Sequence, residues 1–114
     1  MSHPHYKWLS YVRSVVRAYP RYKKQVHNAD EQAEYEAVRD AIIETERTKD
    51  NYNARMTLIN LVFWKQTHTL QGAAMQVGYS YSQARRIQRD FLHLVAKNIG
   101  VYGRMSFQSQ KTVL

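Results

Sequence analysis

Apolar residues recur three or four positions apart along most of this chain. That spacing is typical of helices that bury one side. A half-buried strand would instead alternate apolar and polar residues, and no such alternation is sustained here. We therefore predict an all-α fold of about five helices, whose ends are marked by capping and helix-breaking residues.

The first apolar stripe predicts a helix from His5 to Tyr19. Its apolar side holds Trp8, Leu9, Val12, Val15, Val16 and Tyr19, and its polar side holds Lys7, Arg13 and Arg17. Proline disfavours helical geometry in the residue before it, so we expect the helix to end at or just before Pro20. The basic segment 21–24 would then be a connector, which either contacts phosphate or is a solvated loop.

An acidic helix and a more apolar helix follow. The acidic helix begins near Asn28 or Asp30, both suitable caps, and runs to about Arg47. Its early acids suit the positive end of the helix dipole. After a polar break, a third helix runs from about Tyr52 to Thr67. Its apolar residues at core spacing are Met56, Leu58, Ile59, Val62 and Phe63, with Trp64 beside them.

The segment 69–95 predicts two further helices joined by a tight turn at Gly78. Ala74 lies four positions before this glycine, where a small side chain lets the two helices cross closely. After the turn, Ser80 is followed three residues later by Gln83, which is the spacing of a capping box. The last helix is therefore expected to begin just after Ser80.

This last helix has one apolar side and one arginine-rich side. The apolar stripe consists of Ala84, Ile87, Phe91, Leu94 and Val95. The outward side holds Tyr81, Ser82, Arg85, Arg86 and Arg89. Three arginines against the single acid Asp90, presented after a short glycine turn, are typical of a DNA-binding helix-turn-helix. A bare corner of this kind also occurs in ordinary helical bundles, where the arginines would only solvate the helix.

Residues near the start of a recognition helix usually reach base edges, and arginine pairs bidentately with guanine. The six predicted DNA-binding residues are Tyr81, Ser82, Gln83, Arg85, Arg86 and Arg89. We assign base reading to Ser82, Arg85 and Arg86, and phosphate contact to the glutamine and to the last arginine. The tyrosine can serve either role.

The charge distribution agrees with a polyanionic partner. The 114 residues carry a formal net charge of +8. Residues 1–27 have six bases and no acid, residues 28–50 have eight acids and three bases, and residues 51–114 have eight bases and one acid. This layout indicates that the two basic ends share a surface that faces double-stranded DNA, and binding by phosphate neutralisation would depend strongly on salt.

Several kinds of chemistry have no pattern in the sequence. The absence of cysteine excludes disulfides and thiolate zinc sites, and the five histidines share no metal-ligand spacing. We find no glycine-rich phosphate loop, no nucleophile–base constellation and no paired carboxylate motif. No apolar run is long enough to span a bilayer, and residues 1–30 lack a signal-peptide pattern. We expect a soluble cytoplasmic binding protein without a cofactor, not an enzyme.

The predicted organisation has three parts. Residues 1–50 form a basic helix and an acidic helix, residues 51–100 form the helix-turn-helix part, and the two parts make one compact domain. Gly100 is expected to cap the last helix. The tail 101–114 is expected either to be disordered or to order as an arm against DNA or a partner.

The helix pair resembles the RinA/ArpU-type transcription regulators of phages and prophages of Gram-positive bacteria, whose C-terminal part is similar to region 4 of sigma factors. The resemblance covers about the last two thirds of the chain. It is carried by Thr69-Leu70, Ala74, Gly78, Ser80 and Ala84-Arg85-Arg86-Ile87, together with Tyr-Pro-Arg-Tyr at 19–22. Such motifs more often have valine or isoleucine at position 84, so the alanine here implies tighter helix packing. The resemblance implies an activator of late phage genes that acts at a promoter of the bacterial host cell, with host RNA polymerase as a partner.

Two classes of function are compatible with these observations. One is a sequence-specific transcriptional regulator, acting as a monomer or a homodimer. The other is a DNA-recognition component of phage packaging, similar to a small terminase subunit, which would form a ring of many subunits. A purely structural helical adaptor is a third class, but it leaves the arginine side of the last helix unexplained.

Overall fold

The computed structural model describes residues 7–100, and this part of the chain folds into five helices without a strand. The helices are α1 (Lys7–Lys24), α2 (Ala29–Thr48), α3 (Tyr52–Ile59, continued by a π-helical turn at Asn60–Trp64), α4 (Leu70–Val77) and α5 (Tyr81–Ile99). The prediction of an all-α fold with about five helices is confirmed. The predicted helix start at His5 and the tail 101–114 lie outside the described residues.

Side-chain caps determine where three of the helices begin. The Asn28 side chain accepts from the Glu31 backbone N–H at 2.9 Å, so α2 begins where the sequence predicted. Thr69 caps α4 in the same way, through the Gly72 N–H at 3.1 Å. Ser80 caps α5, and its contacts are described with the site below.

Two glycines end helices in the left-handed conformation that other residues rarely adopt. Gly78 has a φ of 84° and follows α4, and Gly100 has a φ of 88° and follows α5. The Gly78 N–H bonds back to the carbonyl of Met75, and the next N–H, of Tyr79, bonds to the carbonyl of Ala74. The predicted turn glycine and the predicted C-cap are therefore both confirmed.

The prediction that α1 ends at Tyr19 is wrong, because the helix continues through Pro20 to Lys24. Proline has no N–H to donate, so a helix that contains it leaves the carbonyl four residues earlier without its usual partner. Here that carbonyl belongs to Val16, and the indole Nε1 of Trp64 donates to it at 2.7 Å. The indole replaces the missing backbone bond, so the helix tolerates its proline.

Segment 21–24 is consequently the last turn of α1 and not a connector. Tyr22 within it is buried, and its hydroxyl donates to Oε1 of Glu34 on α2 at 2.6 Å. Tyr11, three turns earlier on α1, donates to Oε2 of the same carboxylate at 2.6 Å. Burial and this hydrogen bond raise the pKa of Tyr22 well above its usual range. The shared carboxylate fixes α1 against α2.

The third helix ends at Trp64 and not at Thr67 as predicted. The Lys65 N–H reaches the carbonyl of Asn60 at 2.7 Å, which is the wider spacing of a π-helical turn. Gln66 then takes a φ of 55°, and the Thr67 N–H returns to the carbonyl of Leu61. A left-handed residue cannot continue the helix, so this backbone reversal ends it.

The buried side chains form two clusters. The larger cluster combines residues of α1, α2, the end of α3 and the second half of α5. The smaller one is built by α3, α4 and the first half of α5, and it consists of Leu58, Ala73, Ala74, Ala84 and Ile87. Ala74 and Ala84 are almost completely buried in it, which agrees with the predicted close crossing of α4 and α5. Within residues 7–100, none of these helices combines the length and the apolar character needed to cross a bilayer.

Candidate nucleic-acid interface

The start of α5 presents the predicted site residues to solvent. Tyr81 is 50% exposed, and the other five predicted residues are exposed as well. Ala84 and Ile87, which lie between them in sequence, are buried against α3 and α4. The polar and apolar sides of this helix therefore lie where the 3.6-residue period put them.

A reciprocal pair of hydrogen bonds anchors the first turn of α5. The Gln83 N–H donates to Ser80 Oγ at 3.1 Å, and the Ser80 N–H donates to Oε1 of Gln83 at 2.9 Å. This is the predicted capping box. The carboxamide oxygen of Gln83 is engaged in this cap, and its amide NH₂ group remains as the donor that can contact a phosphate.

Arg85 lies against the aromatic ring one turn before it. Its guanidinium carbon is 5.8 Å from the centre of the Tyr81 ring. A contact of this kind at an exposed site contributes about 0.5–1 kcal/mol. It restricts the arginine side chain, so less conformational entropy is lost when the guanidinium binds a ligand.

A groove of about 490 Å³ runs between α1 and the first half of α5. We call it the arginine groove, because it brings Arg13 of α1 together with Arg85, Arg86 and Arg89 of α5. Its other lining residues are Leu9, Leu70, Tyr81, Ser82, Gln88 and Leu92. Five of the six predicted site residues line this groove, and Gln83 does not.

The charge in the arginine groove is entirely positive. No lining residue is an acid. Within residues 7–100, Arg21 pairs with Glu31 at 3.4 Å and Arg39 with Asp40 at 3.1 Å, but no carboxylate lies within 4.0 Å of the four groove arginines. Guanidinium groups stay charged at any physiological pH, so they repel one another here at all times. The groove is therefore suited to binding an anion.

Sequence reasoning missed the contribution of α1. Arg13 was predicted on the polar side of its helix, but it is half-buried and its Nε has no solvent contact and no hydrogen-bond partner. Leu9, Leu70, Gln88 and Leu92 were likewise not predicted to line a site. The packing of α1 beside α5 is a tertiary contact, and only the coarse expectation that both basic ends share one surface pointed to it.

Residues 7–100 contain no cluster of three or more His, Asp or Glu side chains that could hold a metal ion. Arginine does not act as a general acid or base in proteins, because it is never deprotonated there. The arginine groove therefore offers several fixed positive charges to an anion.

Protein-family models, curated proteins and solved structures contain no match to this chain.

Proposed function

We propose that this protein binds double-stranded DNA in a sequence-specific manner, with α4, the turn at Gly78 and α5 acting as a helix-turn-helix. The observation that carries the proposal is the arginine row on α5. Arg85, Arg86 and Arg89 are exposed, lie within the first half of one capped helix, and have no carboxylate partner among the described residues. An α-helix fits the major groove, and arginines near its start reach guanine edges.

The packing of α3 and α4 supports this role. Together with the first half of α5 they surround the smaller cluster, in which Leu58 of α3 meets Ala73 and Ala74 of α4. The Asn51 side chain just before α3 also hydrogen-bonds the Tyr79 hydroxyl in the turn that precedes α5. A three-helix unit of this kind holds its last helix at a fixed angle, and reading of base edges requires such rigidity.

Within this proposal the residues keep the roles predicted from the sequence. Ser82, Arg85 and Arg86 read bases, and Arg89 and the amide group of Gln83 contact phosphate. Tyr81 contacts either a base or a phosphate. Its ring also lies 5.8 Å from the guanidinium carbon of Arg85, which supports an additional role in orienting that arginine.

Regulation of transcription is the biological role that we propose for this DNA binding. It follows from the resemblance of the helix pair to RinA/ArpU-type regulators and to region 4 of sigma factors. In that role the protein acts at a promoter in a bacterial cell that carries the phage or prophage, and it contacts the RNA polymerase of the host.

Binding curves for single variants test the proposal. A preferred site is first selected from genomic fragments, and a scrambled duplex serves as the comparison. Arg85→Ala or Arg86→Ala should cost about 1–3 kcal/mol on the preferred site and flatten its sequence preference. Arg89→Ala should weaken binding to both duplexes alike. Arg47→Ala is the matched control, because it removes an equal charge from an exposed position on the acidic helix α2.

Two results would contradict the proposed DNA binding. If all three α5 variants keep the helical circular dichroism of the parent protein and bind both duplexes as the Arg47 variant does, the arginines only solvate α5. A parent protein that binds no duplex at low salt would also end the proposal, since phosphate neutralisation by a basic protein is strongest there.

A further inference from the structure

Arg13 differs from the other groove arginines in its surroundings. Its Nε has lost contact with solvent, and no hydrogen-bond acceptor among the described residues reaches it. A buried donor left without an acceptor costs about 1–3 kcal/mol, and more when the group is charged. Arg21 and Arg39, in contrast, have exposed side chains, and each pairs with a carboxylate on α2.

The Nε is closed to solvent, but Arg13 as a whole lines the groove, and its position there indicates what kind of ligand it meets. It lies on α1 and lines the same groove as the exposed arginines of α5, so any acceptor that enters meets several guanidinium groups. The hydroxyl of Ser82 and the amide of Gln88 line the groove too and can donate to an oxyanion. Leu9, Leu70 and Leu92 form the apolar part of the wall and lower the local dielectric constant, which strengthens the attraction of an anion.

We infer that Arg13 binds a backbone phosphate of the DNA duplex that α5 reads, so that α1 forms part of the interface. This inference depends on the proposed function. A helix that lies in the major groove has a phosphate backbone on either side of it. Because α1 packs beside α5, it meets one of these backbones, and the arginine groove between them receives a phosphodiester group. Arg13 thus positions the protein on the duplex and does not read sequence.

Arg13→Gln, compared with Arg17→Gln, tests the inference. Both substitutions remove one positive charge from α1, so their effects on net charge are identical. Arg17 is exposed and does not line the groove, and its guanidinium carbon lies 5.9 Å from the centre of the Phe63 ring. Equilibrium binding is measured on the selected site and on the scrambled duplex, at several salt concentrations.

Arg13→Gln should weaken binding to both duplexes by about tenfold and reduce the slope of log K against log salt by about 0.9, the value for one lost phosphate contact. Arg17→Gln should change affinity by less than about twofold. Arg13→Lys keeps the charge but lacks the planar guanidinium fork that binds phosphate bidentately, so its affinity should fall between those of the parent protein and Arg13→Gln. If Arg13→Gln does not fold, the affinity of Arg13→Lys relative to the parent protein tests the inference instead.

The possible failures can be told apart. If the parent protein binds DNA and the two glutamine variants bind alike, the inference about α1 is wrong and the proposed function is unaffected. If Arg13→Gln weakens only the selected site, Arg13 reads bases and the phosphate assignment is wrong. Inorganic pyrophosphate provides a second probe at constant ionic strength. Pyrophosphate could raise the melting temperature of the parent protein but not that of Arg13→Gln, while no duplex binds. In that case the groove holds a free phosphate compound and the DNA assignment is overturned.

Discussion

Replacing Trp64 by phenylalanine should show how α1 accommodates its proline. The indole N–H of Trp64 donates to the carbonyl of Val16, the group that Pro20 cannot satisfy. Val16 is completely buried, so water cannot take the place of the indole. The substitution Trp64→Phe keeps an aromatic ring next to Tyr19 but removes the donor, and it should leave a buried carbonyl without a partner.

The size of the stability loss can be isolated by replacing Pro20 as well. An unsatisfied buried acceptor costs about 1–3 kcal/mol. In a Pro20→Ala background the new N–H at position 20 can reach the Val16 carbonyl by the ordinary helical bond, so Trp64→Phe should there cost only its lost packing. The difference between the two backgrounds, which cancels the packing loss, should be at least about 1 kcal/mol.

Urea unfolding of the four proteins in this cycle measures the coupling directly. A stability change of 1 kcal/mol corresponds to about 4–8 °C in the melting temperature of a domain of this size, so calorimetry provides an independent reading. If Trp64→Phe costs the same in both backgrounds within about 0.5 kcal/mol, the two residues do not interact and the explanation of the continuous α1 is refuted.

Three further measurements examine other parts of the structure. Ser80→Ala should lower the free energy of unfolding by about 1 kcal/mol through the lost cap of α5, and equal urea midpoints for variant and parent would contradict this. Gly78→Ala should cost about 1 kcal/mol from backbone strain alone, because its φ is 84° and no atom lies within 4 Å of an added Cβ; unchanged stability would refute that strain. The pKa of Glu31 is lowered by hydrogen bonds from the His27 backbone N–H, from the His27 side chain and from Arg21. Ionised Glu31 therefore stabilises the fold at pH values above its unfolded-state pKa near 4.5. This stabilisation is lost as the pH falls through the lower pKa of the folded state. The urea midpoint of the parent protein should therefore fall more on acidification than that of Glu31→Gln, and parallel curves would exclude the effect.

The parts of the fold that could be predicted from the sequence depend on neighbours in the chain. The cap at Asn28 and the capping box at Ser80 join groups three residues apart, and the left-handed glycines Gly78 and Gly100 end helices through bonds to the preceding turn. The exposed and buried sides of α5 follow from its 3.6-residue period. Such features need no knowledge of the rest of the molecule.

The features that could not be predicted depend on distant residues. The rule that a helix ends before proline failed at Pro20, because the substitute donor lies 48 positions after Val16. The partial burial of Arg13 could not be predicted for a related reason, since it depends on where α1 packs against α5. Both features concern α1, whose neighbours in the fold are far from it in sequence.

The length of α5 determines how the two helices that border the arginine groove, α1 and α5, are held together. Its first half contributes Ala84 to the smaller cluster, and its second half contributes Val95 to the larger cluster that also contains α1. One continuous helix of 19 residues, about 28 Å long, therefore joins the arginine row to the helix that carries Arg13. A change in the spacing of the backbone segments that carry Arg13 and Arg89 would require α5 to bend or one cluster to lose its packing. The helices that border the groove are consequently held in fixed positions, so they need no rearrangement when a phosphate meets the guanidinium groups they carry.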